Sequence, residues 1–334
     1  MPTEITQTPP KYLQQEETLP QEFKNTISTL PKQKGWLASH LYQYHGFWYP
    51  VRHLQGVINS QKHFKAQDSD IFLVTTPKSG TTWLKALIFT LTNRKKHPIS
   101  INHPLITNNP HDLVPFLEIK LFVDNQIPDL SSPSSPRLFS THIPFVSLPE
   151  KVRRDPGGPG HKIVYLCRNP KDIFVSLWHF TNSLKPQDAK ANSFDEVFDM
   201  FCRGISLFGP FWDHVLEYWN KSRENPDRFF FVKFEDMKET PGCVLRRLAG
   251  FLGCPFGDGE EESVLVDEIL KMCSFDHLRG LEVNKNGKLS SGEENKAFFR
   301  RGVVGDWKNY LGDDMAERID QITQQKFSGT SLIM

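Results

Sequence analysis

Asp70-Ile-Phe-Leu-Val-Thr-Thr-Pro-Lys-Ser-Gly-Thr-Thr-Trp83-Leu-Lys-Ala-Leu-Ile-Phe-Thr-Leu-Thr92 decides the fold. After Asp70 it is an apolar, mostly β-branched or aromatic run of strand length, as a strand buried on both faces requires. Pro77-Lys78-Ser79-Gly80 breaks the run, and residues 81–92 read as a helix. Strand, tight loop and helix together aim free N–H groups at an anion. Lys78 adds a point charge and Gly80 lets the backbone approach a phosphate. Thr81 and Thr82 offer hydroxyls beside helix-N-terminal amides, and Trp83 offers a plane for a base. A bare Lys-Ser-Gly is an ordinary turn; between a buried strand and Thr-Thr-Trp it reads as a phosphate loop. It is not a Walker A loop, which needs a glycine well upstream and places its lysine after the last glycine. The expected anion is therefore a phosphate or phosphosulfate, held without the usual Mg²⁺-ATP apparatus.

Further strands follow at Arg137-Leu-Phe-Ser-Thr141, Lys162-Ile-Val-Tyr-Leu-Cys-Arg168 and Arg228-Phe-Phe-Phe-Val-Lys-Phe234. Helical periodicity fills residues 173–180, 194–223 (broken near Gly209-Pro210), 240–252 and 313–326. Residues 97–115 and 280–295 read as loops, and 153–160 as a turn. Strands alternating with helices predict an α/β fold: one domain, with a central parallel sheet and helices on both faces. No internal repeat is visible. Residues 1–30 are polar and read as a flexible arm with one short helix near 20–30; the domain is expected over 31–334.

The 334 residues include 40 Lys plus Arg against 39 Asp plus Glu, a net charge of +1, so no global field draws the chain to nucleic acid or a membrane surface. Any anion site must be built locally. The five cysteines form no CxxC pair, which argues against a zinc cluster or disulfide framework and suits a reducing compartment. The first residues lack a secretory pattern and no apolar run approaches a membrane span, so the cytoplasm is expected. Phenylalanine is abundant, with 26 residues; most should fill the core, and some could line an aromatic ligand's pocket.

With the phosphate loop, the chain begins to resemble the cytosolic sulfotransferases, from about Gly35 to the last helix. Its wording is most similar to the plant members: LPKQKGW at 30–36, LYQYHGFW at 41–48, PKSGTTWLKAL at 77–87 and LEVNKNG at 281–287. The resemblance implies a single P-loop-like α/β domain. It also implies 3′-phosphoadenosine-5′-phosphosulfate (PAPS) as donor, 3′-phosphoadenosine-5′-phosphate (PAP) as product and a small-molecule hydroxyl acceptor. Arg168 and Ser176 could each be structural if read alone. The RNPKD…S spacing resembles the family's 3′-phosphate site. FFRRGVVGDWKN at 298–309 resembles the family's RKGxxGDWKN element, which implies that Arg300, Arg301 and Gly302 hold the same phosphate; Arg301 replaces the usual lysine and keeps its charge. FVKFEDM carries Phe234 where the family commonly has tyrosine, so packing on adenine is kept and a hydroxyl is lost. Cys273-Ser274-Phe275 resembles the segment along the base, with Phe275 implied as a stacking partner.

His142, in Ser140-Thr-His-Ile-Pro144, matches the family's catalytic strand end, and an imidazole suits proton removal from a phenol or alcohol near neutral pH. The expected mechanism is in-line transfer. His142 deprotonates the acceptor, Lys78 offsets charge on the bridging oxygen, and amides from Ser79 to Thr82 hold the 5′-phosphate. Ser176 is implied to restrain Lys78 until acceptor arrives. A sulfuryl group carries less charge than a phosphoryl group, so no metal is required, and no carboxylate must be assigned to one. Residues 36–48 read first as aromatic core packing and second as a pocket cover; with Phe145 they hint at an aromatic or steroid-like acceptor. The plant relatives sulfate flavonols, brassinosteroids, jasmonate derivatives and desulfoglucosinolates; a flavonoid-like phenolic is the expectation. The family's dimer segment keeps Lys308 and Glu317, but Gly312-Asp313 replaces its centre, so a monomer is favoured over the dimer. Two rivals remain open: a Mg²⁺-dependent P-loop kinase and a non-catalytic nucleotide binder.

Overall fold

In a computed structural model, residues 19–334 are described except 125–126, 132–134, 155–159, 187 and 258. Strands β1 (Lys32–Lys34), β2 (His40–Tyr44) and β3 (Phe47–Pro50) form a small antiparallel sheet. Strands β4 (Ile71–Thr75), β5 (Leu138–Thr141), β6 (Lys162–Cys167) and β7 (Phe229–Lys233) form the central one, in the order β5-β4-β6-β7. Every neighbouring pair in the central sheet is parallel.

Because side chains alternate along a strand, each central strand feeds two cores. Phe72, Val74, Ile163, Tyr165, Cys167 and Phe229 enter one core. Ile71, Leu73, Val164, Leu166, Phe230 and Val232 enter the other. The helices Val51–His63, Pro170–Ser183, Phe211–Glu224 and Asp313–Phe327 cover the first. Thr81–Asn93, Pro241–Phe251 and Glu260–Met272 cover the second. This is the expected single α/β layer arrangement, with helices on both faces. The strand order also fixes the site. The chain leaves β4 to one side for β5 and returns on the other side to β6. A crevice opens at such a switch point, beyond the carboxyl ends of the strands.

At the opposite end, Asp70 is wholly buried and Arg137 nearly so. Arg137 donates to Asp70 from Nε and Nη2, both at 2.7 Å, and also to the carbonyls of Lys65 and Leu130. The Asp70 Oδ2 accepts a further N–H from Gln67 at 2.8 Å. This fork fixes the register at the start of β4 and β5.

Two expectations need correction, and residues 36–48 gain a secondary structure that the sequence left open. Residues 19–30 are not part of a flexible arm. Gln21–Ser28 is a helix whose Phe23 and Ile27, with Leu19, are buried in the main core; residues 1–18 lie outside the described residues. The loops expected at 97–115 and 280–295 contain the helical turns Pro104–Ile106 and Pro110–Leu113 and the helix Glu282–Asn286. Residues 36–48 carry β2 and most of the antiparallel hairpin, whose two-residue turn His45-Gly46 has φ of +51° and +85°. Left-handed φ at both turn residues matches right-twisted strands, and His-Gly is a weak sequence signal for it.

The Asp70–Arg137 pair gives a direct test of this frame. Arg137→Met should lower the unfolding free energy by about 3–5 kcal/mol, because it leaves Asp70 buried without its partner. Urea titration reads this, and a loss below about 1 kcal/mol would show that the pair does not hold the strands.

Candidate active site

Beyond the carboxyl ends of β4 to β7 lies a cavity of about 380 Å³. All of the sequence-predicted site residues line it except Ser79. Ser79 is fully buried behind the loop, where its hydroxyl meets that of Thr76 at 2.6 Å and its N–H donates to the Thr76 carbonyl at 3.3 Å. Its amide is thus committed to the turn. The first helical bond runs from Leu84 N–H to the Gly80 carbonyl, which leaves the Thr81, Thr82 and Trp83 amides without an intrahelical partner. Lys78 sits at φ +69°, a region lysine seldom adopts, so the surroundings hold the loop. Gly80, at φ +109°, brings its backbone against Phe234; a Cβ there would lie 2.7 Å from that ring. Gly302, at φ +64°, does the same beneath Phe275, at 2.5 Å.

The cations converge from three elements. Arg168, just past β6, is buried and donates to the Val303 carbonyl at 2.6 Å and to the Lys78 carbonyl at 3.4 Å. Its guanidinium lies 4.5 Å from the centre of the Phe234 ring. Arg300 and Arg301 reach Asp306 at 2.6 Å and 2.9 Å. Asp172, which sequence reading passed over inside RNPKD, accepts the Gly305 and Trp307 N–H groups at 2.8 Å and 3.0 Å and so fastens the arginine loop to the helix after β6. Ser176 lines the cavity from that helix, one turn before Phe180, and the Lys78 ammonium lies 4.0 Å from the Phe180 ring centre. Among the described hydrogen bonds none joins Ser176 to Lys78. Burial, with Arg300 and Arg168 close by, pushes Lys78 down to about 7. The Nε atoms of Arg168 and Arg300, and Nε1 of Trp83, are buried without a hydrogen-bond partner. Such orphaned donors, next to two glycine cradles and unmatched positive charge, fit a ligand bearing anionic groups.

His142, just past β5, is buried at the cavity's other end. Its Nδ1 lies 2.7 Å from the Thr75 carbonyl, which only accepts, so Nδ1 carries the hydrogen and Nε2 keeps the lone pair. The Thr75 hydroxyl meets Nδ1 at 3.1 Å and Thr81 Oγ1 at 2.7 Å. Glu118, fully buried and missed in the sequence, accepts the His142 backbone N–H at 2.7 Å and the Thr141 hydroxyl at 2.9 Å. Burial pushes Glu118 up to about 7 against those hydrogen bonds. His214 donates from Nε2 to the His142 carbonyl at 2.9 Å and takes the Tyr165 hydroxyl on Nδ1, also at 2.9 Å. Burial holds His142 itself well below the ordinary imidazole range, so the ring is neutral. Phe116 and Phe208 flank it, with ring centres at 4.7 Å and 5.3 Å.

The aromatic expectation is partly corrected. Of residues 36–48 only Leu37 lines the cavity. Trp36 is wholly buried against Phe174, and Phe145 packs on Tyr218 and Phe229 outside the cavity. The cavity's aromatic wall comes instead from Phe116, Phe180, Phe208 and Phe298, beside His53 and His111. Only their aromatic content signalled them in sequence.

The family model described as the sulfotransferase domain matches residues 68–331. Cytosolic sulfotransferase 5 of Arabidopsis thaliana is 51% identical over 318 residues, 95% of this chain and 97% of its own length. Cytosolic sulfotransferase 12 of the same plant is 50% identical over 325 residues, 97% of each chain. The crystal structure of a candidate steroid sulphotransferase from Arabidopsis thaliana superposes with a TM-score of 0.75 at 45% identity, covering 98% of this chain and all of that one. A mouse sulfotransferase complexed with PAP shares the fold, with a TM-score of 0.67 at 24% identity over 86% of this chain and 94% of its own. No helix among the described residues is long and apolar enough to cross a membrane. The chain belongs to the sulfotransferase family and is a sulfotransferase.

Proposed function

We propose that the protein transfers a sulfuryl group from PAPS to a hydroxyl of a small organic acceptor, a flavonoid-like phenolic being the preferred class. One observation carries this reading. A neutral imidazole with its lone pair free lines the same cavity as four cations, Lys78, Arg168, Arg300 and Arg301, that among the described residues only two carboxylates, Asp172 and Asp306, pair with. The cluster has two centres. The loop at 78–83 suits the 5′-phosphate; Arg168, Ser176, Arg300, Arg301 and Gly302 suit the 3′-phosphate. Phe234, Phe275 and Trp83 suit the adenine between them. PAPS, when bound, supplies the sulfuryl group.

Each protein group then has one task. His142 Nε2 takes the hydroxyl proton as the acceptor oxygen bonds to sulfur. Lys78 offsets the charge left on the phosphate oxygen when the bridging S–O bond breaks. The Thr75 carbonyl holds the imidazole in the required tautomer. The aromatic wall around His142 favours a flat phenol, while the steroid sulphotransferase assignment of the 45%-identical neighbour keeps a sterol alcohol as the competing class. A monomer is the preferred state, and the cytosol the preferred location, in line with the names of the relatives.

Turnover should be measured with PAPS, without metal, over a panel of flavonols, brassinosteroids, hydroxyjasmonates and desulfoglucosinolates. Flavonols should give the highest kcat/KM. His142→Ala should lose at least about a thousandfold in kcat while still binding PAP. Retention of most activity would remove His142 as the base.

Proton linkage offers a second test. Lys78 starts near 7 in the empty site, and a bound phosphate must raise it. Binding should therefore take up close to one proton at about pH 8. Affinity should be full below the empty-site value and fall as pH rises past it. Calorimetry in buffers of different ionisation enthalpy reads the uptake, and Lys78→Met should abolish it. Equal uptake in both proteins would assign the proton elsewhere.

A further inference from the structure

The roles above leave unused a buried polar cluster beside the cavity. Lys85 lies one helical turn beyond Thr81 and Thr82 and has no exposed surface. Its Nζ is 3.0 Å from His111 Nδ1 and 3.4 Å from the centre of the Phe116 ring. His111 is also buried, and its Nε2 is 3.0 Å from Thr82 Oγ1. The imidazole is wedged between two rings, Phe116 at 5.5 Å and Phe298 at 4.4 Å. Its backbone is fixed as well. Asn109 Oδ1 accepts the His111 N–H at 2.8 Å, and Asn109 Nδ2 donates to Asn284 Oδ1 at 2.8 Å. The ring therefore has one position and two polar neighbours.

Those neighbours set its tautomer. An ammonium has only donors, so His111 Nδ1 accepts. The ring hydrogen is then on Nε2 and is donated to Thr82 Oγ1. With one lone pair occupied, the Thr82 hydroxyl keeps its own hydrogen free for the cavity that Thr82 lines. Burial first, then the charge of Lys85, holds His111 well below the ordinary imidazole range, so the ring is neutral, as a relay requires. Burial pushes Lys85 down and Glu118 works against this; a neutral amine would carry a lone pair as well as donors, so the relay's polarity is that of the ammonium, the form favoured by the Phe116 ring face and by Glu118.

We propose that Lys85, His111 and Thr82 form a relay of fixed polarity that presents the Thr82 hydroxyl as a donor to the 5′-phosphate, with His111 as the positioning residue. The inference rests on the phosphate-loop reading above. It adds a neutral donor to the loop without adding charge, and it ties the loop to the segment at 103–114 through one imidazole.

The test titrates PAP into the full-length protein in the presence of a chelator. His111→Phe keeps the stack between Phe116 and Phe298 but ends the relay. It should weaken PAP about tenfold, or about 1.4 kcal/mol. His111→Gln can accept from Lys85 through Oε1 and donate to Thr82 through Nε2. It should recover affinity to within about threefold of wild type. Thr82→Val should match His111→Phe, and the double variant should lose no more than either single one. Wild-type affinity in His111→Phe, no recovery in His111→Gln, or losses that simply add would each overturn the relay. Failure of the unmodified protein to bind PAP would instead overturn the phosphate-loop reading on which the relay rests. Should His111→Phe not fold, long-range ¹⁵N–¹H spectra of histidine-labelled protein decide the matter, with the His111 signal assigned by its loss in His111→Gln. An Nε2–H tautomer supports the relay, and an Nδ1–H tautomer overturns it.

Discussion

The site depends on the 2.7 Å contact between His142 Nδ1 and the carbonyl of Thr75. Thr75 ends β4, and His142 follows the end of β5. The parallel pairing of these strands, which sets Val74 opposite Thr141, brings the two groups together. One contact therefore fixes the imidazole's tautomer, aims its lone pair, and joins the basic end of the cavity to the strand that launches the Lys78 loop. Glu118 and His214 hold the backbone on either side of His142, so the ring does not depend on its own torsions alone.

Charge balance shapes the rest. The chain as a whole is nearly neutral, with a net charge of +1, yet Lys78, Arg168, Arg300 and Arg301 share one cavity wall. Asp112 and Glu293 also line the cavity, but among the described residues the carboxylates paired with the arginines are Asp172 and Asp306. Asp172 and Asp306 orient Arg168, Arg300 and Arg301 from their rear, at 2.6–3.5 Å. Neutralisation from the front is left to a ligand. Burial first, and then the charges of Arg300 and Arg168, lower Lys78 to about 7 in this arrangement.

Much of this was legible because the sequence states it locally. A buried strand, a Lys-Ser-Gly break and a helix read as a strand-loop-helix unit, and the alternation of strands and helices declares the sheet. His142, Arg168 and the arginine pair carry motif spacing. What was not legible depends on long-range packing. Ser79 looked like an anion ligand, yet its amide is used inside the turn. Phe145 follows β5 but packs, half-buried, against the core beside Tyr218. Glu118 and His111 come from a stretch read as loop or left unassigned, and only the fold carries them to His142 and Thr82. The hairpin at 40–50 was hidden by a His-Gly turn with little sequence weight; the helix at 21–28 was expected, but its burial in the main core was not.

Calorimetric titration of PAP into the metal-free protein, with ATP as control, tests the central claim most directly. PAP should bind at micromolar concentration or tighter, about −8 kcal/mol or better, with ATP markedly weaker and a chelator without effect. Absent PAP binding, or a preference for ATP with Mg²⁺, would contradict that claim.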